Sequence, residues 1–455
     1  MRNIEILREV DAGTEMGDYL RHYWWPIAST AEFRDKDAKA VRILGEDLVL
    51  YRDLSNRWGL IDRMCAHRFA DMSFGFVEKE GIRCPYHGWM YDANGQLVEA
   101  PFEDTVNPSN QLKKQCKLKA YKVKEHAGLL FVYLGKDPAP ELPIYDFLNW
   151  KHGLIEIARL DMKNNWMQHQ ENSYDPVHFE WSHENWDVRR HGGDKSNYVS
   201  KFANFEFNEF EYGFDRPTAR VDGKELDSRT TLTMWPNGKI RHFACRPRFG
   251  ENSNYPIGKT FIKWVIPVDK DTSYYLLWAF VQMPVGAEIP EDNVTYWNPS
   301  IYTSEGVPDH NIQLNQDIII CGGHGFYPKT REGEMLGESD RGIIMFRKKL
   351  FEDLERVKNG LDPKGTIRDP EVAKNVTIPI FRNDEEERRN YNWDMPYEMY
   401  VNTEFYKRRL KRVQVKNVAE DHSADKNHFN ENNIYICEEA LRKYIEVVES
   451  AKPKG

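Results

Sequence analysis

Two cysteines and two histidines fall into two short groups in the N-terminal third of the chain. Cys65 and His67 form the pattern C-x-H. After sixteen intervening residues, Cys84 and His87 form C-x2-H. Two thiolates and two imidazoles can hold either a structural zinc ion or a 2Fe–2S cluster. Zinc sites usually pair like ligands, whereas each group here holds one cysteine and one histidine. This arrangement favours a cluster in which one iron takes both cysteines and the other takes both histidines.

A second group of chemically capable residues lies about a hundred residues later. Asp175, His178 and His183 form the pattern D-x2-H-x4-H. Two neutral imidazoles that converge with a carboxylate make a facial site for Fe(II) with open positions for oxygen. Residues five apart diverge on a regular helix, so the spacing predicts a π-bulge or a break before His183. The alternative is an amphipathic helix with two surface histidines and an N-cap at Asp175, and the upstream cysteine–histidine motif favours the metal site.

The spacing does not identify the third iron ligand. Glu180 and Glu184 lie nearest in sequence, and Asp187 and Asp309 are also available. Glu184 follows His183 directly and cannot readily turn back onto an ion that His183 binds. The motif alone leaves Glu180, Asp187 and Asp309 open.

Composition limits the classes of function. The chain has 455 residues, a formal charge of −9 and a pI near 5.9, so it lacks the basic surface that binds nucleic acid. No apolar run approaches the ~18 residues of a membrane span, and the N-terminus is too polar for a signal peptide. Six scattered cysteines are too few for a disulfide scaffold, so we expect a cytoplasmic protein without membrane segments.

Periodicity divides the chain into three segments. Residues 1–39 are a leader with helical spacing that Pro26 stops, and residues 40–150 carry short strands typical of an all-β domain. Residues 151–455 alternate again as longer strands around the D-x2-H-x4-H motif. Helices are predicted from Ser339 to Gly360 and over Ile436–Ala451. The expected fold class is α+β.

Together, the two motifs resemble those of the Rieske non-haem iron ring-hydroxylating oxygenases. Two weaker markers resemble the phthalate dioxygenase-type branch, which includes aromatic O-demethylases. They are the leader G-T-x-M-G…R-x-Y-W-x-P and the segment R-E-G-E-M-L-G-E-S-D-R-G-I-I-M-F-R at Arg331–Arg347. The resemblance extends from about residue 7 to about 360. It implies a Rieske 2Fe–2S domain at 40–150, a helix-grip catalytic domain at 151–455, and a leader that packs on the catalytic domain.

The resemblance also assigns roles to the metal-site residues. Cys65, His67, Cys84 and His87 would hold the cluster. His178 and His183 would hold the mononuclear iron with Asp317, which follows Gln316 in the Q-D pair typical of this branch. From the residues alone, an acid directly before Ile-Ile-Ile would be interpreted as a helix-start residue or as a buried acid that needs a partner. Asp175 would bridge the cluster of a neighbouring subunit to His178, which implies a head-to-tail homotrimer.

The function that follows is that of a terminal oxygenase in a multicomponent system. A separate NAD(P)H-dependent reductase, possibly acting through a ferredoxin, would supply electrons, since the chain has no G-x-G-x-x-G unit. O2 would be used for dihydroxylation, hydroxylation or O-demethylation of an aromatic substrate, and the motifs do not decide among these. The alternative is a Rieske electron carrier with an unrelated binding domain. That class needs only residues 40–150 and leaves Asp175, His178 and His183 without a role.

Arginines in the catalytic segment suggest the substrate class. Arg229, Arg241, Arg246 and Arg248 lie on or beside predicted strands. Most such arginines form surface ion pairs, but one that faces the iron could bind a carboxylate through two parallel hydrogen bonds. We therefore expect an aromatic acid as substrate, with or without a methoxy group.

Overall fold

The computed structural model describes most of the chain. The described residues are 3–185, 202–216, 218–220, 225–226, 231–244, 258–302, 305–307, 309, 313–323, 325, 330–378, 395–403, 406–407, 409–410 and 438–453. Among these residues, no helix combines the length and the apolar character that crossing a membrane requires.

Short antiparallel strands build the N-terminal part. Apolar and charged residues alternate along several of them, as in a sheet with one buried face. The strands are β1 (Trp24–Ser29), β2 (Ala38–Ile43), β3 (Glu46–Arg52), β4 (Trp58–Asp62), β5 (Phe76–Glu78), β6 (Gly81–Arg83), β7 (Met90–Tyr91), β8 (Leu97–Glu99), β9 (Ala120–His126) and β10 (Leu129–Tyr133). They form one sheet in the order β1-β10-β9-β4-β3-β2 and another in the order β5-β6-β7-β8. The two cysteine–histidine motifs lie in the loops between β4 and β5 and between β6 and β7.

The leader differs from its prediction in where its helix ends. Helix α1 (Glu15–Leu20) stops before the predicted end at Pro26, and Pro26 lies in strand β1. This strand is at the edge of the six-stranded sheet, where a residue without an N–H is tolerated. The strand also places Trp24 and Trp25 in the main apolar core. The predicted helix end was therefore wrong.

An eight-stranded sheet organises the rest of the chain. The strands are β11 (Gly153–Met162), β12 (Phe202–Phe205), β13 (Asn208–Phe210), β14 (Gly213–Asp215), β15 (Thr218–Arg220), β16 (Glu225–Leu226), β17 (Thr231–Met234), β18 (Gly238–Ala244), β19 (Gly258–Pro267), β20 (Ser273–Gln282) and β21 (Val294–Trp297). The large sheet has the order β13-β14-β17-β18-β19-β20-β11-β21, and a small one has the order β12-β15-β16. All pairs in the large sheet are antiparallel except β11 with β21.

Strand β20 lies inside the protein on both of its faces. Trp278 points to the N-terminal part, where its indole N–H donates to the carbonyl of Ala127 at 2.8 Å. Tyr275, on the opposite face, has its hydroxyl 2.9 Å from Nδ1 of His169 in the helix before the D-x2-H-x4-H motif. One face of the large sheet therefore packs on the N-terminal part, and the other faces the helices that carry the metal ligands.

The remaining helices cover this second face or the chain's outer surface. They are α2 (Pro101–Val106), α3 (Leu112–Gln115), α4 (Trp166–Glu171), a π-helix (Phe179–Asn185), α5 (Gln313–Ile320), α6 (Arg341–Lys358), α7 (Pro370–Ala373), α8 (Tyr397–Val401) and α9 (Glu438–Ser450). The two helices predicted in the last third of the sequence correspond to α6 and α9.

The last described segments pack on the first strand of the large sheet. Arg409 and Glu156 of β11 form an ion pair at 2.8 Å, and both side chains are almost fully buried. The hydroxyl of Tyr400 donates to the carbonyl of Gln282 at 2.7 Å, and the ring of Tyr444 lies 4.5 Å from the Arg409 guanidinium. These segments are therefore part of the core of the large sheet.

Candidate metal centres

The two cysteine–histidine loops come together at one end of the N-terminal part. The side chains of Cys65 and Cys84 are buried, with 1% and 2% of their surface exposed. His67 is half-buried, His87 is exposed, and their ring centroids lie 4.5 Å apart. The thiols thus face the protein interior, and the imidazoles form the outer edge.

The two loops repeat one backbone pattern. In each, the cysteine N–H donates to the carbonyl five residues later: Cys65 to Ala70 at 2.9 Å and Cys84 to Trp89 at 2.8 Å. The ring of Trp89 stacks on His67 with 4.6 Å between centroids. These contacts link the two loops and orient their ligand side chains toward one another.

The donor set fits a 2Fe–2S cluster. Cys65 and Cys84 are free thiols in buried positions, and burial raises the pKa of the Cys65 thiol. Nδ1 of His67 is buried and has no hydrogen-bond partner among the described residues, which is the state of a nitrogen that awaits a metal. A cluster with two thiolates on one iron and two imidazoles on the other would use all four side chains.

Tyr91 is a further residue that touches this site, and the sequence analysis did not include it. Its hydroxyl lies 3.4 Å from Sγ of Cys65. When Cys65 is a thiolate ligand of the cluster, its sulfur has no hydrogen, so the hydroxyl would be the donor. A donor on a ligand sulfur stabilises the reduced, more negative cluster and raises its reduction potential. If this hydrogen bond is about 1 kcal/mol stronger in the reduced state, Tyr91→Phe should lower the potential by roughly 40 mV. A redox titration of the cluster's visible spectrum measures the change.

Tyr51 supplies the matched control for that substitution. It is buried in the same apolar cluster, and its hydroxyl has no hydrogen-bond partner among the described residues. Tyr51→Phe should leave the potential unchanged. An unchanged potential in Tyr91→Phe, or equal shifts in both variants, would show that the hydroxyl does not act on the sulfur.

The D-x2-H-x4-H motif has the backbone irregularity that its spacing predicts. A π-helix runs from Phe179 to Asn185 and carries His183. The wider turn of a π-helix returns a residue five positions on to the side that His178 occupies. The prediction of a π-bulge at this motif is therefore confirmed.

Asp175 makes the contacts expected from both hypotheses for it. Its Oδ1 caps the following turn by accepting from the N–H groups of Val177 at 2.8 Å and His178 at 3.1 Å. Its Oδ2 lies 3.7 Å from Nδ1 of His178. Burial raises the pKa of Asp175, and the two backbone hydrogen bonds and the nearby Arg216 act in the opposite direction.

His178, His183 and Asp317 converge into one candidate metal site. Their potential ligand atoms all lie within 4.8 Å of one another. Oδ1 of Asp317 is 3.0 Å from Nε2 of His183 and 3.6 Å from Nε2 of His178. Ligands about 2.1 Å from one ion, at right angles to each other, are about 3 Å apart. The three side chains thus fit one mononuclear ion, and 134 residues of sequence separate His183 from Asp317.

Hydrogen bonds and burial set these side chains in the protonation states that a metal requires. Nδ1–H of His183 donates to Oε1 of Gln316 at 2.7 Å, which leaves Nε2 for the ion. Burial lowers the pKa of His178 well below its usual value. Burial alone would raise the pKa of Asp317, but His183, His178 and Lys263 together outweigh it and hold that pKa well below its usual range. A neutral imidazole and an ionised carboxylate result.

The other acids considered for the third ligand do not join this group where they are described. Glu180 is buried and Asp309 is half-buried, but neither belongs to the converging set. The side chain of Glu184 and all of Asp187 lie outside the described residues.

The arginines predicted to bind substrate are not described either. Arg229, Arg246 and Arg248 lie outside the described residues, as does the side chain of Arg241. Arg216, which the sequence analysis did not consider, is described and lies near Asp175. Burial lowers the pKa of its guanidinium to about 10, and the charge of Asp175 acts in the opposite direction.

A buried polar chain behind the candidate iron site also escaped the sequence analysis. His169 is fully buried; its Nε2–H donates to Asn164 at 2.7 Å, and its Nδ1 accepts from Tyr275 at 2.9 Å. Burial lowers the pKa of His169 to about 3. The ammonium of Lys263 lies 4.1 Å from the centroid of the Tyr275 ring. A lysine within the apolar run T-F-I-K-W-V-I was the available signal in the sequence.

Comparison with known protein families supports the assignment of the N-terminal part. The model of the Rieske [2Fe-2S] domain matches residues 23–121, which include both cysteine–histidine loops.

Comparison with curated proteins and solved structures covers most of the chain. The chain is 40% identical over 384 residues to the 5,5′-dehydrodivanillate O-demethylase oxygenase subunit of a Sphingobium species, covering 83% of this chain and 86% of that one. It is 30% identical over 381 residues to the phenoxybenzoate dioxygenase alpha subunit of Ectopseudomonas oleovorans, covering 79% and 86%. Pseudomonas putida NdmA with caffeine superposes with a TM-score of 0.56 at 21% identity, covering 78% of this chain and 99% of that one. The α+β fold class is confirmed.

Proposed function

Because this chain belongs to the Rieske non-haem iron oxygenases, whose terminal oxygenase subunits use a 2Fe–2S cluster, a mononuclear iron and O2, we propose a function for each site in it. Cys65, His67, Cys84 and His87 hold the cluster. His178, His183 and Asp317 hold the mononuclear iron. The observation that carries this proposal is the presence of two complete donor sets in one chain. An electron carrier would have no use for the second.

The protein's own groups prepare both sites for their work. When bound, the cluster relays single electrons and the mononuclear iron activates O2. Because His87 is exposed, the side of the cluster site that it forms lies at the protein surface. Gln316 keeps Nε2 of His183 directed to the iron, and Asp175 faces the outer nitrogen of His178. In this proposal the Asp175 carboxylate is the group through which electrons reach the iron site, and its position 3.7 Å from Nδ1 of His178 supports that role.

We propose that electrons cross between copies of the chain in a head-to-tail homotrimer. Phenylalanines near the cluster loops are exposed, among them Phe69 at 77%, Phe74 at 74% and Phe102 at 71%. Near the iron site, Trp181 of the π-helix that carries His183 is 52% exposed. Large apolar side chains around two functional sites are typical of surfaces that another protein covers. A cyclic arrangement covers both surfaces in every subunit.

Insertion of oxygen from O2 in these reactions consumes two electrons that the substrate does not supply, so turnover requires an electron-transfer partner. We propose a separate NAD(P)H-dependent reductase, acting directly or through a ferredoxin. The division into a leader at 1–39, a Rieske domain at 40–150 and a catalytic domain at 151–455 is retained as part of the proposal.

The proposed substrate is an aromatic carboxylate. Dehydrodivanillate and phenoxybenzoate, named for the two relatives, are both aromatic acids. If a methoxy group is attacked, O2, two electrons and two protons convert it to a phenol, formaldehyde and water. Purified protein with a surrogate reductase should consume NADH and O2 faster with such acids present, and methoxylated ones should release formaldehyde. Stimulation by neutral aromatics alone would contradict the carboxylate assignment.

A further inference from the structure

The segment Arg331–Arg347, one of the two branch markers in the sequence, begins and ends with an arginine that contacts helix α4. Nη2 of Arg331 lies 2.7 Å from Oε2 of Glu171, and Nε of Arg347 lies 2.6 Å from Oε1 of the same carboxylate. Glu171 is the last residue of α4, and it is buried. A carboxylate at this end of a helix faces the negative end of the helix dipole. The two arginines are the cations that compensate it.

A second carboxylate closes these contacts into a ring. Glu334 accepts from Nη1 of Arg347 at 2.6 Å, from Nη2 of Arg347 at 3.0 Å and from Nη1 of Arg331 at 3.1 Å. Two glutamates and two arginines thus alternate, and both arginine side chains are largely buried. We call Glu171, Arg331, Glu334 and Arg347 the charge ring. Because each planar guanidinium contacts two carboxylates, the ring restricts orientation as well as distance.

The N-terminal leader extends the charge ring. Glu5 accepts from the backbone N–H of Arg331 at 2.7 Å and from Nη1 of Arg8 at 2.7 Å. The carbonyl of Arg8 accepts from Nδ2 of Asn165 at 3.0 Å, and the Asn165 side chain caps the start of α4. One short stretch of the leader therefore reaches both ends of α4.

The start of α4 is also attached to the chain that follows Asp317. Nδ2 of Asn164 donates to the carbonyl of Cys321 at 2.5 Å. Cys321 lies four residues after Asp317, and Arg331 lies fourteen residues after it. The segment that follows the aspartate ligand thus contacts α4 at its first turn through Cys321 and at its last residue through Arg331.

The histidine ligands follow α4 directly. A 3-10 turn over Asn172–Tyr174 continues from Glu171, and His178 lies four residues beyond this turn. A shift or rotation of α4 would therefore move His178 relative to Asp317. The ligands of the triad, which also includes His183, must be held within about 0.5 Å of their working positions to bind an ion well. The position of α4 consequently matters for the metal site.

We infer that Arg331 and Arg347 are positioning residues for the mononuclear iron. Through Glu171 they fix the segment that carries the histidines against the segment that carries the aspartate. The inference rests on the proposed function, which assigns the iron to the triad. It gives the segment 331–347 a role that its sequence pattern alone does not reveal.

The test measures metal binding and its geometry without turnover. Co(II) is titrated into protein that keeps its cluster but has lost the mononuclear iron to a chelator. EPR spectra of the bound Co(II) are recorded with the cluster oxidised and therefore silent. The double variant Glu171→Gln/Arg347→Met removes one charge of each sign and leaves Arg331 paired with Glu334. It should bind Co(II) roughly 10- to 100-fold more weakly, with an altered EPR spectrum, as is typical when the support of metal ligands is lost.

Glu46→Gln provides the matched control. Glu46 forms an ion pair with Arg21 at 2.8 Å in the N-terminal part, and both side chains are largely buried. This variant also removes a buried charge, and it should leave the Co(II) affinity and the EPR spectrum unchanged. Arg347→Lys keeps the charge but not the planar fork. It should bind Co(II) more tightly than the double variant and more weakly than the wild type.

Wild-type affinity and an unchanged EPR spectrum in the double variant would overturn the inference and leave the charge ring a purely structural feature. Equal losses in the double variant and in Glu46→Gln would overturn it as well. If the double variant does not fold, wild-type Co(II) binding by Arg347→Lys would contradict the inference in the same way. Co(II) binding that Asp317→Ala does not weaken would contradict the proposed iron site itself, and the positioning role would fall with it.

Discussion

Asp317→Ala is expected to abolish turnover and to deplete the mononuclear iron while leaving the cluster spectrum intact. Asp317 is the only anionic member of the triad, and its Oδ1 lies within 3.6 Å of both histidine nitrogens. Two neutral imidazoles alone bind ferrous iron weakly. Iron analysis should therefore fall from about three to about two irons per chain, the two in the cluster.

Glu180→Gln and Asp309→Asn are the controls for this substitution. Both acids were candidates on sequence grounds, and neither belongs to the converging group. Each variant should retain three irons per chain. If either variant lost iron while Asp317→Ala kept it, the residue changed in that variant, and not Asp317, would be the third iron ligand.

The same variant also tests whether electrons cross between subunits. Trimers assembled from equal amounts of Asp317→Ala and the cluster-deficient Cys84→Ser contain adjacent pairs with one intact cluster and one intact iron site. A subunit can turn over only if its own iron site is intact and its neighbour has an intact cluster. In a cyclic trimer with random mixing, both conditions should hold for about one quarter of all subunits. Activity near a quarter of the wild-type value is expected, and none at all would place electron transfer within one subunit.

Asp175→Asn is expected to lower turnover by about 10²-fold or more, with both metals retained. In the wild type one carboxylate oxygen caps the turn and the other faces Nδ1 of His178. Asparagine has a single acceptor oxygen, so it cannot serve both groups. Because asparagine caps a helix as well as aspartate does, the cap should persist and the contact with His178 should be lost.

Stopped-flow measurement of a single turnover separates this effect from a loss of stability. With substrate and O2 present, the cluster of Asp175→Asn should stay reduced, whereas the wild-type cluster should be oxidised. The melting temperature and the oligomeric state should not change. A variant that oxidises its cluster at the normal rate would leave the cap as the only role of Asp175.

The metal motifs were predictable from sequence because each is local. Cys65 and His67, like Cys84 and His87, need only one tight loop per pair. The irregular helix before His183 was also predictable, since a five-residue interval is incompatible with a regular turn. Membership in the Rieske oxygenases, inferred from these motifs, is confirmed by relatives that match most of the chain.

Features that depend on long-range contacts and strand register could not be predicted from the sequence in the same way. Asp317 is remote from His183 in sequence, and only the family resemblance nominated it. Glu171 and Arg347 become neighbours only where α4 packs against α6, which no local pattern fixes. The helix predicted through Trp24 failed because pairing with β10 overrode the local spacing.

The ion pair between Arg409 and Glu156 has a consequence for how the protein is made. A ribosome completes β11 long before it adds the arginine, which lies 253 residues further along the chain. Throughout that interval the Glu156 carboxylate lacks the arginine partner that it has when buried in the folded protein. Removing one member of a buried pair costs about 3–5 kcal/mol, which is comparable with the whole stability of many proteins. The Glu156 carboxylate therefore gains its buried partner only after Arg409 has been synthesised.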